Sequence, residues 1–169
     1  MKSGSIAVLA LGAILVLVAS PGLAQQKSEK EFLTDATQGD VAEIEVGQLA
    51  ETLGTSDGVR NYGRMLAMDH GKAKDEAMKV AQSLRIVVPA TAKPEAQTEY
   101  DKLSKLSGTA FDVEFLRAMV QDHQKTISEF EVEAKHGSGP TAKLATTQLV
   151  TLKSHLAAAQ TLQRKSMAP

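Results

Sequence analysis

The chain has 169 residues, with 19 basic against 20 acidic side chains, two Tyr, four Phe, and no cysteine or tryptophan. The absence of cysteine excludes disulfide scaffolds, thiolate metal sites and cysteine nucleophiles. A formal charge of -1 and the scarcity of aromatics speak against a nucleic-acid binder, which needs basic surface and stacking platforms.

Lys2 precedes an uncharged apolar run, Ile6 to Val18, which Ser20-Pro21-Gly22 breaks before Gly22-Leu23-Ala24. A positive start, a short apolar stretch and a small-x-Ala ending describe a secretory signal peptide. A membrane span would need roughly 20 apolar residues. The expectation is therefore residues 1–24 as a signal peptide cleaved near Ala24, a domain over 25–169 without a transmembrane segment, and a periplasmic or secreted location. The remaining chain carries 18 basic against 20 acidic residues, a formal charge of -2.

Ser28-Glu29-Lys30-Glu31 has capping-box spacing. After it, Phe32, Ala36, Gly39, Glu43, Val46, Ala50 and Leu53 recur in steps of three and four, which predicts a helix over about 29–53 ending at Gly54. Ser56 or Asp57 can cap a second helix over about 57–85, with Leu66, His70, Ala73, Ala77, Val80 and Leu84 on one stripe. Pro89 and Pro94 open a crossover, 86–108, in which Tyr100, Leu103 and Leu106 suggest a short helix closed by Gly108. Thr109 to Asp112 repeats the capping spacing for a third long helix over 109–136, aligning Leu116, Val120, His123, Ile127, Phe130 and Ala134. Pro140 suits the start of a fourth over 140–165, aligning Gln148, Leu152, His155, Ala159 and Leu162. The fold class is all-α: a four-helix bundle of two hairpins joined by a long crossover containing a short helix.

The pattern Arg-x4-Asp-His-x-Lys occurs twice, as Arg64, Asp69, His70, Lys72 and as Arg117, Asp122, His123, Lys125. Glu43, His70, His123 and His155 put one polar side chain on each apolar stripe. At 1.5 Å per residue, Glu43 and His70 lie about 18 and 22 Å from the first interhelical turn, and His123 and His155 about 22 and 25 Å from the second. The four can therefore meet near mid-bundle. Imidazoles and a carboxylate suit one divalent transition metal ion of unassigned identity. The alternative is a hydrogen-bonded polar layer that fixes helix register and holds no metal. Asp69 and Asp122 point about 100° away from the neighbouring histidines and read as groups that support the ligands from behind.

Other features read as structural. Glu133 and His136 form one Glu-x-x-His without a twin, short of a di-iron carboxylate set; they read as a solvated helix end. Met65, Met68, Met78 and Met119 read as soft core filler, with copper affinity as the alternative. No nucleophile elbow or phosphate-cradling glycine loop is present.

Over residues 31–163 the chain resembles a bacterial family of exported domains of unknown function labelled "predicted outer membrane protein" and considered ferritin-like. The resemblance rests on Phe32-Leu33 with Ala36, Ala42-Glu43-Ile44, Met65-x3-Asp69-His70, Ser107-Gly108-x2-Phe111-Asp112, Met119-x2-Asp122-His123 and Leu152-x2-His155-Leu156. It marks Glu43, His70, His123 and His155 as family positions. In that family a proline usually stands where this chain has Val150, so His155 is the ligand position that departs from the pattern. The expected function is a non-enzymatic envelope protein whose polar cluster binds one metal ion, in metal handling or envelope stress. The alternatives are a metal-dependent redox enzyme acting on oxygen, peroxide or ferrous iron, and a ligand-free helical module for an envelope protein partner.

Overall fold

A computed structural model describes residues 27–166; the expected signal peptide and cleavage near Ala24 lie outside them. The chain order is α1 (Glu29–Leu53), α2 (Asp57–Ser83), α3 (Pro94–Leu103), α4 (Gly108–His136) and α5 (Gly139–Ser166). Among the described residues there is no strand, and no helix is long and apolar enough to cross a membrane.

Local signals set the ends of the first two helices. Ser28 Oγ accepts from the Glu31 N–H at 3.3 Å, and the Glu31 carboxylate accepts from the Ser28 N–H at 2.9 Å, so the capping box at α1 is complete. Ser56 Oγ caps α2 by accepting from the Val59 N–H at 3.2 Å. The start of α4 departs from expectation. It begins at Gly108, whose φ of 61° favours glycine, and neither Thr109 nor Asp112 caps it.

Asp112 instead caps a different helix. Its carboxylate is buried and accepts from the Thr55 N–H at 2.8 Å and the Ser56 N–H at 3.0 Å. It thereby satisfies free N–H groups at the start of α2 and meets the positive end of that helix. The start of α4 thus lies beside the start of α2, and the two helices run parallel. With α1–α2 and α4–α5 as antiparallel hairpins, every neighbouring pair around the bundle is antiparallel. Replacing Asp112 by Ala removes two hydrogen bonds and a cap, for an expected loss of about 2 kcal/mol measured by urea unfolding. An unchanged unfolding midpoint would refute this role.

The crossover spans the bundle's length because α2 and α4 are parallel. Ion pairs of Lys93 with Asp35 of α1 and Lys102 with Glu114 of α4 hold α3 down, and fully buried Leu103 anchors it. Inside the first hairpin the backbones touch. A Cβ at Gly47 would lie 2.6 Å from the Gly63 carbonyl oxygen, and one at Gly63 would lie 2.5 Å from that of Gly47. Only glycine fits this crossing.

The core is divided in two. At the end holding the α1–α2 turn, Val46, Tyr62, Leu66, Phe111, Phe115 and Leu116 pack together. At the other end Phe32, Leu33, Ala77, Ile127, Phe130 and Leu152 form a second apolar cluster. Full burial of each such Leu or Phe contributes about 1.5–3 kcal/mol. Between the clusters lies a polar layer containing Asp40, Glu43, His70, His123, Gln148 and His155, all buried.

Two sequence expectations change on packing. Met119 is buried, but Met68 and Met78 are 58% and 42% exposed, so they are not core filler. Glu133 is buried at 3% while His136 is exposed; the pair is only half solvated because the α4–α5 hairpin covers the inner side of that turn.

Candidate metal centre

The three histidines of the polar layer converge from α2, α4 and α5. Their ring centroids are separated by 5.3 to 5.8 Å, and their ligand atoms lie within 4.8 Å of one another. Placement follows from the helical stripes: each histidine sits where an apolar residue would otherwise fill the core.

Each ring has one nitrogen committed to an acceptor. His70 Nδ1 lies 2.8 Å from Asp40 Oδ1, His155 Nε2 lies 3.2 Å from Asp69 Oδ2, and His123 Nδ1 lies 3.0 Å from the Met119 carbonyl oxygen. Carboxylate and carbonyl oxygens accept, so each of these nitrogens carries the hydrogen. The opposite nitrogens, His70 Nε2, His123 Nε2 and His155 Nδ1, then present lone pairs. His123 Nε2 and His155 Nδ1 face each other at 3.4 Å. Two lone pairs cannot hydrogen-bond. The third, His70 Nε2, is buried with no partner at all.

Metal-binding histidines typically have this arrangement, in which the non-ligating N–H is tied to a carboxylate or carbonyl. In a tetrahedral site with metal–nitrogen bonds of about 2.0–2.1 Å, neighbouring nitrogens stand about 3.3 Å apart. The observed 3.4 Å meets that spacing.

Electrostatics point the same way. Burial, reinforced by His70 and His155, holds His123 down to about 3, and burial lowers His155 against the opposing pull of Asp69. Both shifts favour the neutral ring, the form that ligates. Burial raises Asp40 despite its bond from His70. Burial also pushes Glu43 well up, with Asp122 and Asp40 adding to it. At Asp69 the hydrogen bonds from His155 and Lys72 outweigh burial and lower it. The buried charged residues include Asp40, Glu43, Asp112 and Glu133, with no buried Lys or Arg among the described residues. A buried carboxylate without a cation is costly.

The four candidate ligands do not form one group. The three histidines make one, and Glu43 falls into a second with Asp122 and His123. Glu43 Oε1 lies 3.9 Å from His123 Nδ1, on the ring edge away from His155. Asp69 sits behind His155, whereas the exposed Asp122 lies beside Glu43. Despite Val150 in place of proline, His155 is only 1% exposed and joins the cluster.

Sequence reasoning missed Asp40. The stripe drawn through Gly39 passes one residue too early: Gly39 is exposed and Asp40 is 7% exposed. The available signal was its spacing, four residues after Ala36 and three before Glu43. A cavity of about 280 Å³ adjoins the cluster, walled on one side by Phe32, Phe130 and Leu152.

A family model described as "Domain of unknown function (DUF4142)" matches residues 17–162. The chain belongs to this family. No protein of curated function matches it. The crystal structure of a DUF305 fragment from Deinococcus radiodurans is similar in fold, with a TM-score of 0.71 at 15% identity, over 81% of this chain and 95% of that one. At that identity the likeness concerns the helical fold. The paired Asp-His motifs of this DUF4142 chain also gain a structural meaning. They stand on α2 and α4, the second helix of one hairpin and the first of the other. Tandem copying of a hairpin would map α1 onto α4, so it does not account for them.

Proposed function

We propose that the protein binds one divalent transition metal ion through His70 Nε2, His123 Nε2 and His155 Nδ1, with Asp40 and Asp69 orienting two of the rings. The observation that carries this reading is the pair of lone-pair nitrogens facing each other at 3.4 Å beside a third buried nitrogen without a partner. Three imidazoles favour zinc, copper, nickel or iron over magnesium or calcium. Together with the leader-like residues 1–24, this supports a role in metal handling or stress protection in a bacterial envelope.

The test is elemental analysis of untagged protein purified without chelator, with His70→Ala and His123→Ala as controls. The expected result is about one metal ion per chain, lost in both variants. Metal-free protein whose melting ignores added Zn, Cu, Fe, Mn and Ni would sink the reading. Three protein ligands leave a coordination position open, and the adjoining cavity has room for a small ligand. That supports a second reading, a redox enzyme acting on oxygen, peroxide or ferrous iron. Peroxide consumption and ferrous oxidation by the loaded protein separate it from simple binding.

A further inference from the structure

The second ligand group lies on the other edge of the His123 ring. Glu43 of α1 and Asp122 of α4 bring carboxylate oxygens within 4.8 Å of each other and of a His123 nitrogen. Glu43 is 6% exposed, and its Oε2 is buried with no hydrogen-bond partner. Such an oxygen calls for a specific explanation. Asp122 accepts a long bond from the Thr126 hydroxyl, 3.4 Å, and lies within hydrogen-bond reach of the Glu43 carboxyl.

No Lys or Arg side chain is paired with either carboxylate among the described residues. Arg117 is held by Glu114 and Gln121, and Lys125 lies 4.0 Å from Glu129. A groove under the crossover is lined by both carboxylates and by Glu99 of α3. Glu99 is already in ion-pair range of Lys102 and Arg117, at 3.8 and 3.9 Å, so the two carboxylates of α1 and α4 stand apart from it. Two carboxylates this close cannot both stay ionised without a counter-charge, and a cation between them supplies it.

We propose that Glu43 and Asp122 hold a second divalent cation, of the hard, oxygen-preferring class, with water completing its shell. Carboxylate and water donors suit Mn²⁺ or Mg²⁺ better than the borderline ions that imidazole favours. The His123 Nδ1 hydrogen stays on the Met119 carbonyl, so the ring need not be shared between two ions. The site lies beyond the three-histidine centre and does not depend on it.

Titration of the full chain with Mn²⁺, followed by the electron paramagnetic resonance of free Mn²⁺, tests this. A His70→Ala/His155→Ala double variant removes the imidazole site and is expected to keep about one Mn²⁺ per chain. Asp122→Asn, at an exposed position, is expected to keep the fold by circular dichroism and to weaken Mn²⁺ at least tenfold. Glu43→Gln/Asp122→Asn is expected to abolish it. If the histidine double variant does not fold, the comparison of the unaltered chain with Asp122→Asn decides the matter alone. Absence of Mn²⁺ binding, or equal binding by Asp122→Asn, overturns the proposal. Failure of the three-histidine site reads differently: Zn²⁺ stays unbound while carboxylate-dependent Mn²⁺ binding persists.

Discussion

At a free Zn²⁺ concentration a thousandfold above its dissociation constant, the protein is expected to gain about 4 kcal/mol of stability, because the ion binds only the folded chain. For a bundle of this size that corresponds to a rise in melting temperature of roughly 10–15 °C. Asp40, Asp69 and the Met119 carbonyl already fix the ring tautomers, so little ordering opposes binding. His123→Ala removes the central ligand and is expected to erase the shift. Its metal-free melting temperature serves as its own baseline, which separates lost binding from lost packing. Asp40→Asn leaves all three ligating nitrogens in place but weakens the orienting acceptor, and is expected to reduce affinity about 10-fold. Thermal melts with and without metal check both. Equal shifts in the unaltered chain and His123→Ala would exclude the histidine centre.

The contribution of the buried histidines to the metal-free protein's stability is expected to fall as the pH falls, chiefly through His123. Glu43 and Asp40, whose values are raised, act in the opposite direction. Burial depresses the folded value of His123 to about 3 from the ordinary 6.5. Between those values the unfolded chain binds more protons than the folded one, so stability declines with falling pH across that window. The contribution is complete above pH 6.5. It falls by about 2 kcal/mol by pH 5 and about 5 kcal/mol by pH 3. His155, lowered in the same direction, adds to the decline. Urea unfolding at pH 7, 6 and 5 should show a steeper loss for the unaltered chain than for His123→Gln, which cannot gain the proton. Identical slopes would contradict the neutral state assigned to the buried ring.

Much of this architecture is legible in the sequence because helices declare themselves locally. Ser28 with Glu31 and Ser56 mark starts by hydrogen bonds that span three residues, and the period of the apolar residues marks the inward faces. Histidine on three such stripes is conspicuous because nothing else polar of that size belongs there. One-residue errors in a stripe are invisible at this level. Gly39 and Asp40 are only about 100° apart around α1, and only packing decides that Asp40 meets His70. Met68 and Met78 satisfy helical spacing too, yet α2 turns them to solvent.

By its sequence alone the chain determined an all-helical bundle with a long crossover, the near absence of aromatic and thiol chemistry, and histidine and carboxylate as the remaining site chemistry. Tertiary structure decided what those groups do. Asp112 has capping spacing for its own helix, but its partners at Thr55 and Ser56 are brought to it only when α2 and α4 run parallel. The same parallel arrangement sets His70 against His123 and lets α5 deliver His155 between them. It also leaves Glu43 on the far edge, with Asp122. Local periodicity reports which residues point inward; which of them touch depends on helix direction and rotation, and those are settled by packing between elements distant in the chain.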